Sequence, residues 1–323
     1  MRRSHVLAAL IMTCVAGVAP VGAQTYPVKT VRIIVPSSAG GTLDFVVRPV
    51  AQKMSESLKQ QFIIDNRAGA NGIIGLDLTA KAPPDGYTIL FGASGHFATN
   101  VAINAKLPFD VIKDFAPIIR LVEAPLYLMV HPSLPARTVK EFIALAKAKP
   151  GEITYMSSGV GGIFHFLMEE LSTSADVKLL HVPYKGNGPA AAALLAGQVM
   201  SGFDVMLNAL PHVRSGRLRV LAVVAERRSQ IAPEFPTFAE AGLPDVEGGA
   251  WYGLFAPANT PRDIVMTLNA EAIKALAAPE IRQAFEPVGL EVVGSSPEQF
   301  AATMRSDIDR YVKIARQANI RAE

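Results

Sequence analysis

The chain has 323 residues, half of which are hydrophobic, and this length favours two domains over a single core. Its 31 basic and 28 acidic residues give a formal net charge of +3, which is too balanced to indicate a nucleic-acid or membrane-surface partner. The one cysteine, Cys14, lies inside an N-terminal leader, so the mature chain has no thiol for a disulfide, a zinc thiolate site or a cysteine nucleophile.

The N-terminus has the pattern of a secretory signal peptide. A basic start is followed by the apolar run Val6–Val18, and the positions before Gln24 carry the small residues Val21 and Ala23. The apolar run is well short of the ~20 residues that a membrane-spanning helix needs. We therefore predict that residues 1–23 are removed by cleavage near Ala23/Gln24 and that the mature protein is exported and soluble.

The first predicted unit is a strand, a loop and a helix. The strand Val31–Val35 is apolar and rich in β-branched residues, and Pro36 ends it because proline cannot extend a hydrogen-bonded ladder. Glycines and small hydroxyl residues follow, and a helix is predicted from Leu43, with Asp44 in its first turn, to about Leu58. The free N–H groups of such a helix end favour an anion, and the loop has neither the P-loop lysine nor a Gly-x-Gly-x-x-Gly pattern. A carboxylate therefore fits this loop better than a nucleotide.

Three further features belong to this first half. A strand at Thr88–Gly92 leads into the small-residue loop Ala93–Phe97, which we expect to face the first loop. The apolar run Ile118–Val130 is long for one strand and is interrupted by Pro125, so it is interpreted as a bridge between two domains. Pro49 falls about two turns inside the first helix, where it is expected to kink the axis.

The second half begins by repeating the first unit. Ile153–Glu170 contains a strand, a Ser/Gly loop and a helix in the same order, so the two units could direct two helix N-termini into a common cleft. A strand at Val199–Phe203 places Asp204 at its carboxyl end, where open α/β sheets bind ligands. Ala250–Pro257 is predicted to cross back to the first domain.

Strands alternate with helices throughout, which favours an α/β fold with largely parallel sheets. Thr260, followed by a proline, and Ser296 are predicted N-caps of two C-terminal helices, and Pro236–Gly242 is predicted to form a short helix. The last helix is interpreted as a packing element with one apolar stripe, which consists of Phe300, Met304, Ile308, Tyr311 and Ala315.

These segments carry a set of ordered motifs that covers nearly the whole mature chain. The motifs are Gly40–Asp44, Asp65–Gly72, Pro84–Thr88, Asp114–Pro117, Ser157–Gly159 with His165, Val182–Gly186, Pro236–Gly242 and Trp251. With them the chain resembles the Bug (TctC-like) solute-binding proteins of tripartite tricarboxylate transport systems. It departs from that family at Ser37-Ser38-Ala39, where an aromatic residue and prolines are usual, and at Pro49, where an aliphatic residue is usual.

The resemblance implies a two-lobed periplasmic binding protein of the type II-like class, with a mostly parallel sheet flanked by helices in each lobe and two crossing segments as the hinge. Such a protein holds a small carboxylate against loop amides and bridging waters and delivers it to membrane carrier subunits. We assign residues 24–124 and 250–323 to lobe 1 and residues 125–249 to lobe 2. We expect a monomer without cofactor, catalytic activity or nucleic-acid partner.

The predicted ligand site combines loops of both lobes. Asp44 is assigned to capping its helix and orienting a water, because a carboxylate repels a carboxylate ligand. Asp204 is a candidate for binding a polar or cationic ligand group such as an amine, for holding a water, or for a plain interdomain hydrogen bond. His165 is interpreted as a structural hydrogen-bonder, Tyr184 as a cleft wall or a core residue, and His96 as a ligand contact or a turn residue. The full set is Gly40, Gly41, Thr42, Leu43, Asp44, Ser94, His96, Ser157, Ser158, Gly159, Gly162, His165, Tyr184 and Asp204.

Other functions stay open at this point. A secreted hydrolase would use Ser94 or Ser157 as its nucleophile, although neither lies in a Gly-x-Ser-x-Gly elbow. Its base would be His96 or His165. A ligand sensor for a two-component kinase differs from a transport receptor only in its partner. No metal site is predicted, because His165 and Glu169 have helical spacing but no third His or Cys. The carboxylate could be a dicarboxylic, tricarboxylic or aromatic acid, an acidic amino acid or a nicotinate-like ring.

Overall fold

The computed structural model describes residues 26–104 and 106–321. The predicted signal peptide and its cleavage site at Ala23/Gln24 lie outside the described residues. Within these two ranges, none of the helices combines the length and the apolar character that crossing a membrane requires.

In the described residues, strands mostly alternate with helices. The strands are β1 (Val31–Val35), β2 (Phe62–Asn66), β3 (Thr88–Ala93), β4 (Phe115–Ala124), β5 (Leu126–Val130), β6 (Thr154–Ser157), β7 (Leu180–Pro183), β8 (Ser201–Val205), β9 (Arg219–Val224), β10 (Ala250–Pro257) and β11 (Glu291–Val292). The helices are α1 (Thr42–Leu58), α2 (Ile73–Ala80), α3 (Asn100–Ile103), α4 (Val139–Ala148), α5 (Ile163–Ala175), α6 (Asn187–Leu195), α7 (Met206–Arg214), α8 (Arg262–Leu276), α9 (Pro279–Phe285) and α10 (Pro297–Gln317).

The strands form two sheets, one for each lobe of a two-lobed α/β fold. The order is β11-β4-β10-β3-β1-β2 in the first sheet and β7-β6-β8-β5-β9 in the second. In the first sheet β1 is parallel to β2 and β3, whereas β10 is antiparallel to β3 and β4. In the second sheet β6 is parallel to β7 and β8, whereas β5 is antiparallel to β8 and β9.

Both sheets are therefore mixed, and the expectation of mostly parallel sheets was wrong in this detail. The physical reason is the path between the lobes. A strand that arrives from the other lobe enters its new sheet at the carboxyl ends of the parallel strands. It must therefore be antiparallel to them. This is the case for β5 in the second sheet and for β10 in the first.

The crossing strands bring the carboxyl ends of the two sets of parallel strands towards each other. β4 ends at Ala124 and β5 begins at Leu126, so Pro125 is the only residue between the two sheets at this crossing. Leu126 pairs with Val205, the last residue of β8, and Ala124 pairs with Ala250, the first residue of β10. Loops that follow the parallel strands of either sheet thus lie on the side that faces the other lobe.

The helices pack as their apolar faces predict. α1 buries Val46, Val47, Val50 and Met54 against the first sheet and continues through Pro49 without ending there. In α10 the predicted stripe of Phe300, Met304, Ile308, Tyr311 and Ala315 is buried in one cluster with Trp251 and Phe255 of β10. Ser296 caps α10 in a complete capping box with Gln299, as predicted.

Three local predictions need correction. Pro236–Gly242 forms turns instead of a helix, because Ala241 N–H reaches the Thr237 carbonyl in a single turn that Gly242 closes with a left-handed φ of +89°. Thr260 does not cap α8, since its hydroxyl donates to the Pro257 carbonyl and Pro261 occupies the N-cap position. Asp204 lies inside β8, one residue before its end, and not beyond the strand.

Candidate functional site

In the first lobe, Asp44 braces the loop between β1 and α1. Its side chain is buried, and one oxygen accepts the Gly40 N–H at 2.8 Å and Arg48 Nη2 at 2.9 Å. The other oxygen accepts Asn66 Nδ2 at 2.9 Å, and the same amide group donates to the Ser37 carbonyl at 3.1 Å. Burial raises the pKa of Asp44, but the hydrogen bonds from Asn66, Gly40 and Arg48 outweigh it and lower the pKa. The carboxylate is therefore ionised and holds the loop, while Gly41 at the N-cap supplies no side-chain cap.

A second loop follows β3 at the same sheet edge, because β1 and β3 are parallel neighbours. Ser94 is fully buried, and its hydroxyl has no hydrogen-bond partner among the described residues. His96 lies in a short π-helical turn that continues into α3, and its Nδ1 accepts the Ala93 N–H at 3.2 Å. Burial lowers the pKa of His96 to about 4, so the ring is neutral near pH 7 and can accept hydrogen bonds.

Gly72 holds the neighbouring loop against His96. Its φ of +85° is in the left-handed region, and a Cβ at this position would lie 2.7 Å from His96 Cδ2. The loop before α2 therefore packs on the His96 ring only because residue 72 is glycine.

In the second lobe, two neutral histidines support the loop between β6 and α5. Ser157 Oγ lies 2.7 Å from His181 Nε2, and His165 Nδ1 accepts the Gly161 N–H at 3.1 Å. The two imidazoles stack with their centroids 3.9 Å apart and their planes 14° apart. Burial lowers the pKa of His165 to about 3, assisted by His181, and lowers the pKa of His181 to about 4. Neither ring is charged near pH 7, so the stack carries no repulsion.

The remaining candidates of the second lobe lie beside this loop. Tyr184 is half-buried and donates its N–H to the Ser157 carbonyl at 3.0 Å, while the Ser158 carbonyl accepts the Gly186 N–H at 3.1 Å. Gly162 is the N-cap of α5, and a Cβ there would lie 2.9 Å from Ser158 Oγ.

Asp204 lies at the end of β8 and is 3% exposed. One of its oxygens accepts Asn187 Nδ2 at 3.0 Å, Val205 N–H at 2.7 Å and Asn208 Nδ2 at 3.1 Å. Burial raises the pKa of Asp204 despite these hydrogen bonds. Burial raises the pKa of Tyr252, and the Asp204 carboxylate adds to this effect.

The two lobes meet beside these loops. A Cβ on Gly161 would overlap the Cδ1 of Ile103 in α3, so the second-lobe loop abuts the helix that follows Ser94 and His96. Phe166 of α5 packs on Tyr311 of α10 with ring centroids 5.2 Å apart. Among the hydrogen bonds of residues 26–104 and 106–321, none joins the loop 40–44 directly to the loop 157–162. The structure thus brings both sets of candidates to one side of each sheet, while each loop is braced by its own lobe.

Sequence reasoning missed three residues of this region. The sequence analysis does not single out His181, Asn187 or Tyr252. The β6–β7 register, which pairs Tyr155 with His181, could have suggested that His181 lies near Ser157, but that register is not visible in either segment alone.

The serine–histidine pairs considered for a hydrolase, which combine Ser94 or Ser157 with His96 or His165, are not formed in the described part of the chain. Ser94 Oγ has no partner, and Ser157 is hydrogen-bonded to His181 and not to His96 or His165. Ser157 Oγ also lies 2.9 Å from the Gly159 carbonyl and is fully buried. Glu169, the nearest carboxylate to His165, accepts the Tyr155 hydroxyl.

Two mixed sheets flanked by helices are joined by crossing strands, and the loops with the candidate ligand-binding residues lie on the sides of the sheets that face each other. This arrangement defines the class of two-lobed solute-binding proteins. The family model described as "Tripartite tricarboxylate transporter family receptor" matches residues 46–320. The chain belongs to this family, whose members are periplasmic solute-binding proteins.

Individual relatives agree over almost the full length. Protein BugT of Bordetella pertussis is 35% identical over 322 residues, with 98% of each chain covered. The structure of Rpa4515 from R. palustris with adipate has a TM-score of 0.83 and 34% identity, and the match covers 92% of this chain and 99% of that one. MatC from Rhodopseudomonas palustris with bound malate has a TM-score of 0.80 and 33% identity, with 90% and 99% covered.

Proposed function

We propose that this protein captures a small carboxylate between its two lobes and delivers it to the membrane carrier subunits of a tripartite transporter. Two similar proteins have carboxylates bound, adipate in one and malate in the other. The receptor family supports the transport role over a sensor role. We propose no chemical step for the ligand.

One observation on this chain carries the proposal. Ser37 Oγ and Ser94 Oγ are buried hydroxyls without a partner among the described residues, and both follow parallel strands at the edge that faces the other lobe. A buried hydroxyl that lacks a hydrogen bond is costly unless something else supplies one. A carboxylate between the lobes would accept both O–H groups.

The proposed site uses both lobes because one loop is too weak. A helix end contributes roughly 0.3–2 kcal/mol to an anion and a charge-assisted hydrogen bond roughly 1.5–3 kcal/mol, whereas micromolar affinity needs about 8 kcal/mol. We assign donors to Ser37 and to the loops 40–43, 94–96 and 157–162, with Tyr184 and Asp204 at the side of the second lobe. Asp44 and His165 support these loops from behind.

The lobe boundaries belong to the same proposal. Residues 24–124 and 250–323 form lobe 1, residues 125–249 form lobe 2, and the segments at Pro125 and before Ala250 act as the hinge. The mature protein begins near Gln24, is released into the periplasm and acts as a monomer. Closure of the lobes would expel water and strengthen each polar contact with the ligand.

The test is a panel of carboxylic acids added to the mature chain, residues 24–323, with thermal unfolding and calorimetric titration as readouts. A ligand at a hundred times its dissociation constant stabilises the folded state by about 2.7 kcal/mol, which raises the midpoint by roughly 5 °C. Ser94→Ala should weaken binding by about tenfold or more, since it removes a hydrogen bond to a charged group. The matched control is Ser215→Ala, at the exposed end of α7.

The proposal fails if no dicarboxylic, tricarboxylic, aromatic or amino acid of the panel shifts the midpoint or releases heat. It also fails if Ser94→Ala and Ser215→Ala bind the best acid equally well.

A further inference from the structure

The Asp204 carboxylate is buried without a cation. None of the ion pairs formed by the described residues includes it, and its protein partners are two amides and one backbone N–H. All three of these donors bind the same oxygen, Oδ1. Buried carboxylates are normally paired or fully hydrogen-bonded, so the second oxygen is available for a further donor.

Asn187 presents a second acceptor at the same place. Its Nδ2 donates to Asp204 Oδ1 at 3.0 Å, and its own Oδ1 is buried without a partner in the part of the chain that the structure describes. The reverse orientation of this amide would place two acceptors against each other, because the carboxylate can only accept. The carbonyl end of Asn187 therefore points away from Asp204 and needs a donor.

These acceptors lie on the side of the second lobe that faces the first. The β5–β8 register pairs Asp204 with Tyr127, one residue from the crossing at Pro125 and Leu126. Tyr252 of β10 lies two residues after Ala250, which pairs with Ala124 at the same crossing. Tyr252 pairs with Ala93, and the unpartnered Ser94 follows directly. Near this crossing the first lobe thus offers the free hydroxyl of Ser94, and the second lobe offers the acceptors of Asp204 and Asn187.

We propose that the physiological ligand carries a hydroxyl or ammonium group in addition to its carboxylate, and that Asp204 and Asn187 bind this group. The carboxylate of the ligand binds the donors of the first-lobe loop and of Ser94. The hydroxyl or ammonium group donates hydrogen bonds to Asp204, near the end of β8, and to Asn187, at the start of α6. The inference rests on the proposed function and narrows the substrate class to hydroxy or amino carboxylic acids.

The physical basis is an asymmetry of hydrogen bonding. An acid without a donor leaves the Asn187 carbonyl and the second oxygen of Asp204 unpaired, and it brings its own negative charge towards a buried carboxylate. An acid with a hydroxyl or ammonium group satisfies both acceptors. Sites built to bind a substrate OH or NH reject analogues that lack it more strongly than apolar pockets reject a changed methylene.

The experiment compares acids that share one carbon skeleton and differ only in the donor. Mature wild-type protein is titrated calorimetrically with succinate, L-malate and L-aspartate, with adipate and 2-aminoadipate, and with phenylacetate and mandelate. We expect at least one donor-bearing acid to bind tenfold or more tightly than its unsubstituted partner. Asn187→Ala should reduce this ratio to less than about threefold.

Asn208→Ala is the matched control. Asn208 also donates to Asp204 Oδ1, at 3.1 Å, but it is an exposed residue of α7 and leaves no buried acceptor behind. This variant should keep the preference for the donor-bearing acid. Thermal unfolding without ligand shows whether each variant is folded, and the wild-type ratios decide the question even if Asn187→Ala is not.

The outcomes separate this inference from the proposed function. If unsubstituted acids bind as tightly as their hydroxy and amino counterparts, the inference is overturned and carboxylate capture stands. If Asn187→Ala still binds the donor-bearing acid more tightly than its unsubstituted partner, these acceptors do not bind the donor group. The inference is then also overturned. If none of these acids binds but another acid of the wider panel does, and that acid has no hydroxyl or ammonium group, the inference is overturned and carboxylate capture stands. If no acid of the wider panel binds either, both proposals fall.

Discussion

At the scale of single residues, the ordered loops of this protein depend on buried polar side chains that support them from behind. Asp44 connects Gly40, Arg48 and Asn66, and the last of these also holds the Ser37 carbonyl. The loop is therefore held by charge-assisted hydrogen bonds and not by packing alone.

Replacement of Asp44 by alanine should lower the free energy of unfolding by roughly 1.5–3 kcal/mol, because it removes the buried carboxylate that accepts hydrogen bonds from the Gly40 N–H, Asn66 and Arg48. Chemical denaturation of the mature chain measures this loss. Asp263→Ala is the control, since Asp263 is also an acidic residue in the first turn of a helix but is exposed. It should cost at most about 1 kcal/mol. Equal losses in the two variants would contradict a bracing role for Asp44.

At the scale of elements, the start of α5 is the place where the second-lobe loop touches the first lobe. Gly161 has a φ of +73° and lies against Ile103, whereas Gly151 has a φ of +78° and open space around it. The two glycines have the same backbone requirement and differ in their surroundings.

Gly161→Ala should therefore destabilise the protein more than Gly151→Ala. In both variants the left-handed backbone conformation of the alanine costs about 1–2 kcal/mol of stability. In Gly161→Ala the collision of the new methyl group with Ile103 costs about 1–3 kcal/mol more. Thermal and chemical unfolding give the difference. In the double variant Gly161→Ala/Ile103→Ala the losses should be less than additive. Strictly additive losses would show that the collision is not what separates the two glycines.

At the scale of the whole molecule, a buried ion pair between a side chain of α5 and a side chain of α10 links the two lobes. Arg310 Nη1 lies 3.3 Å from a Glu170 oxygen and also donates to the Glu247 carbonyl. Asp307, one turn before Arg310, accepts the indole N–H of Trp251 at 2.6 Å. Burial raises the pKa of Glu170 from 4.5 to about 7, against the opposing effect of Arg310.

This shift predicts how the Glu170 carboxyl group contributes to stability at different pH values. A carboxyl group with a raised folded pKa binds its proton more tightly in the folded state, so its contribution is complete below pH 4.5 and is lost as pH rises through about 7. The free energy of unfolding of the wild type minus that of Glu170→Gln should fall by about 1–3 kcal/mol between these values. Urea unfolding at several pH values measures it. The buried histidines titrate in both proteins and cancel in the difference. A difference that is constant with pH, or that grows as pH rises, would contradict the prediction.

Much of the fold could be predicted because its signals are local. The β-branched run Val31–Val35, the glycine-rich loop after it and the apolar spacing of α1 are neighbours in the chain, and the same plan recurs at β6 and α5. Pro125 marked the first crossing for the same reason. Pro236–Gly242 was misread as a helix because one turn and a longer helix begin with the same residues.

The polar contacts of the candidate site could not be predicted in this way. Ser157 meets His181 across 24 residues, Asn187 meets Asp204 across 17, and Arg310 meets Glu170 across 140. In each case one partner looks like an ordinary strand or helix residue until the other segment is placed beside it.

The sequence by itself determined the order of strands and helices, the two strand-loop-helix units, the two crossing segments and the family. Those properties depend on side chains that are adjacent or one helical turn apart. Only the tertiary structure decided that β5 and β10 are antiparallel to the parallel strands of their sheets. It also decided that Ser94 and Asp204 lie on the sides of their sheets that face the other lobe, and which buried polar atoms lack a partner. A hydrogen bond requires two atoms about 3 Å apart, and whether distant segments reach that distance is decided by how the whole chain packs.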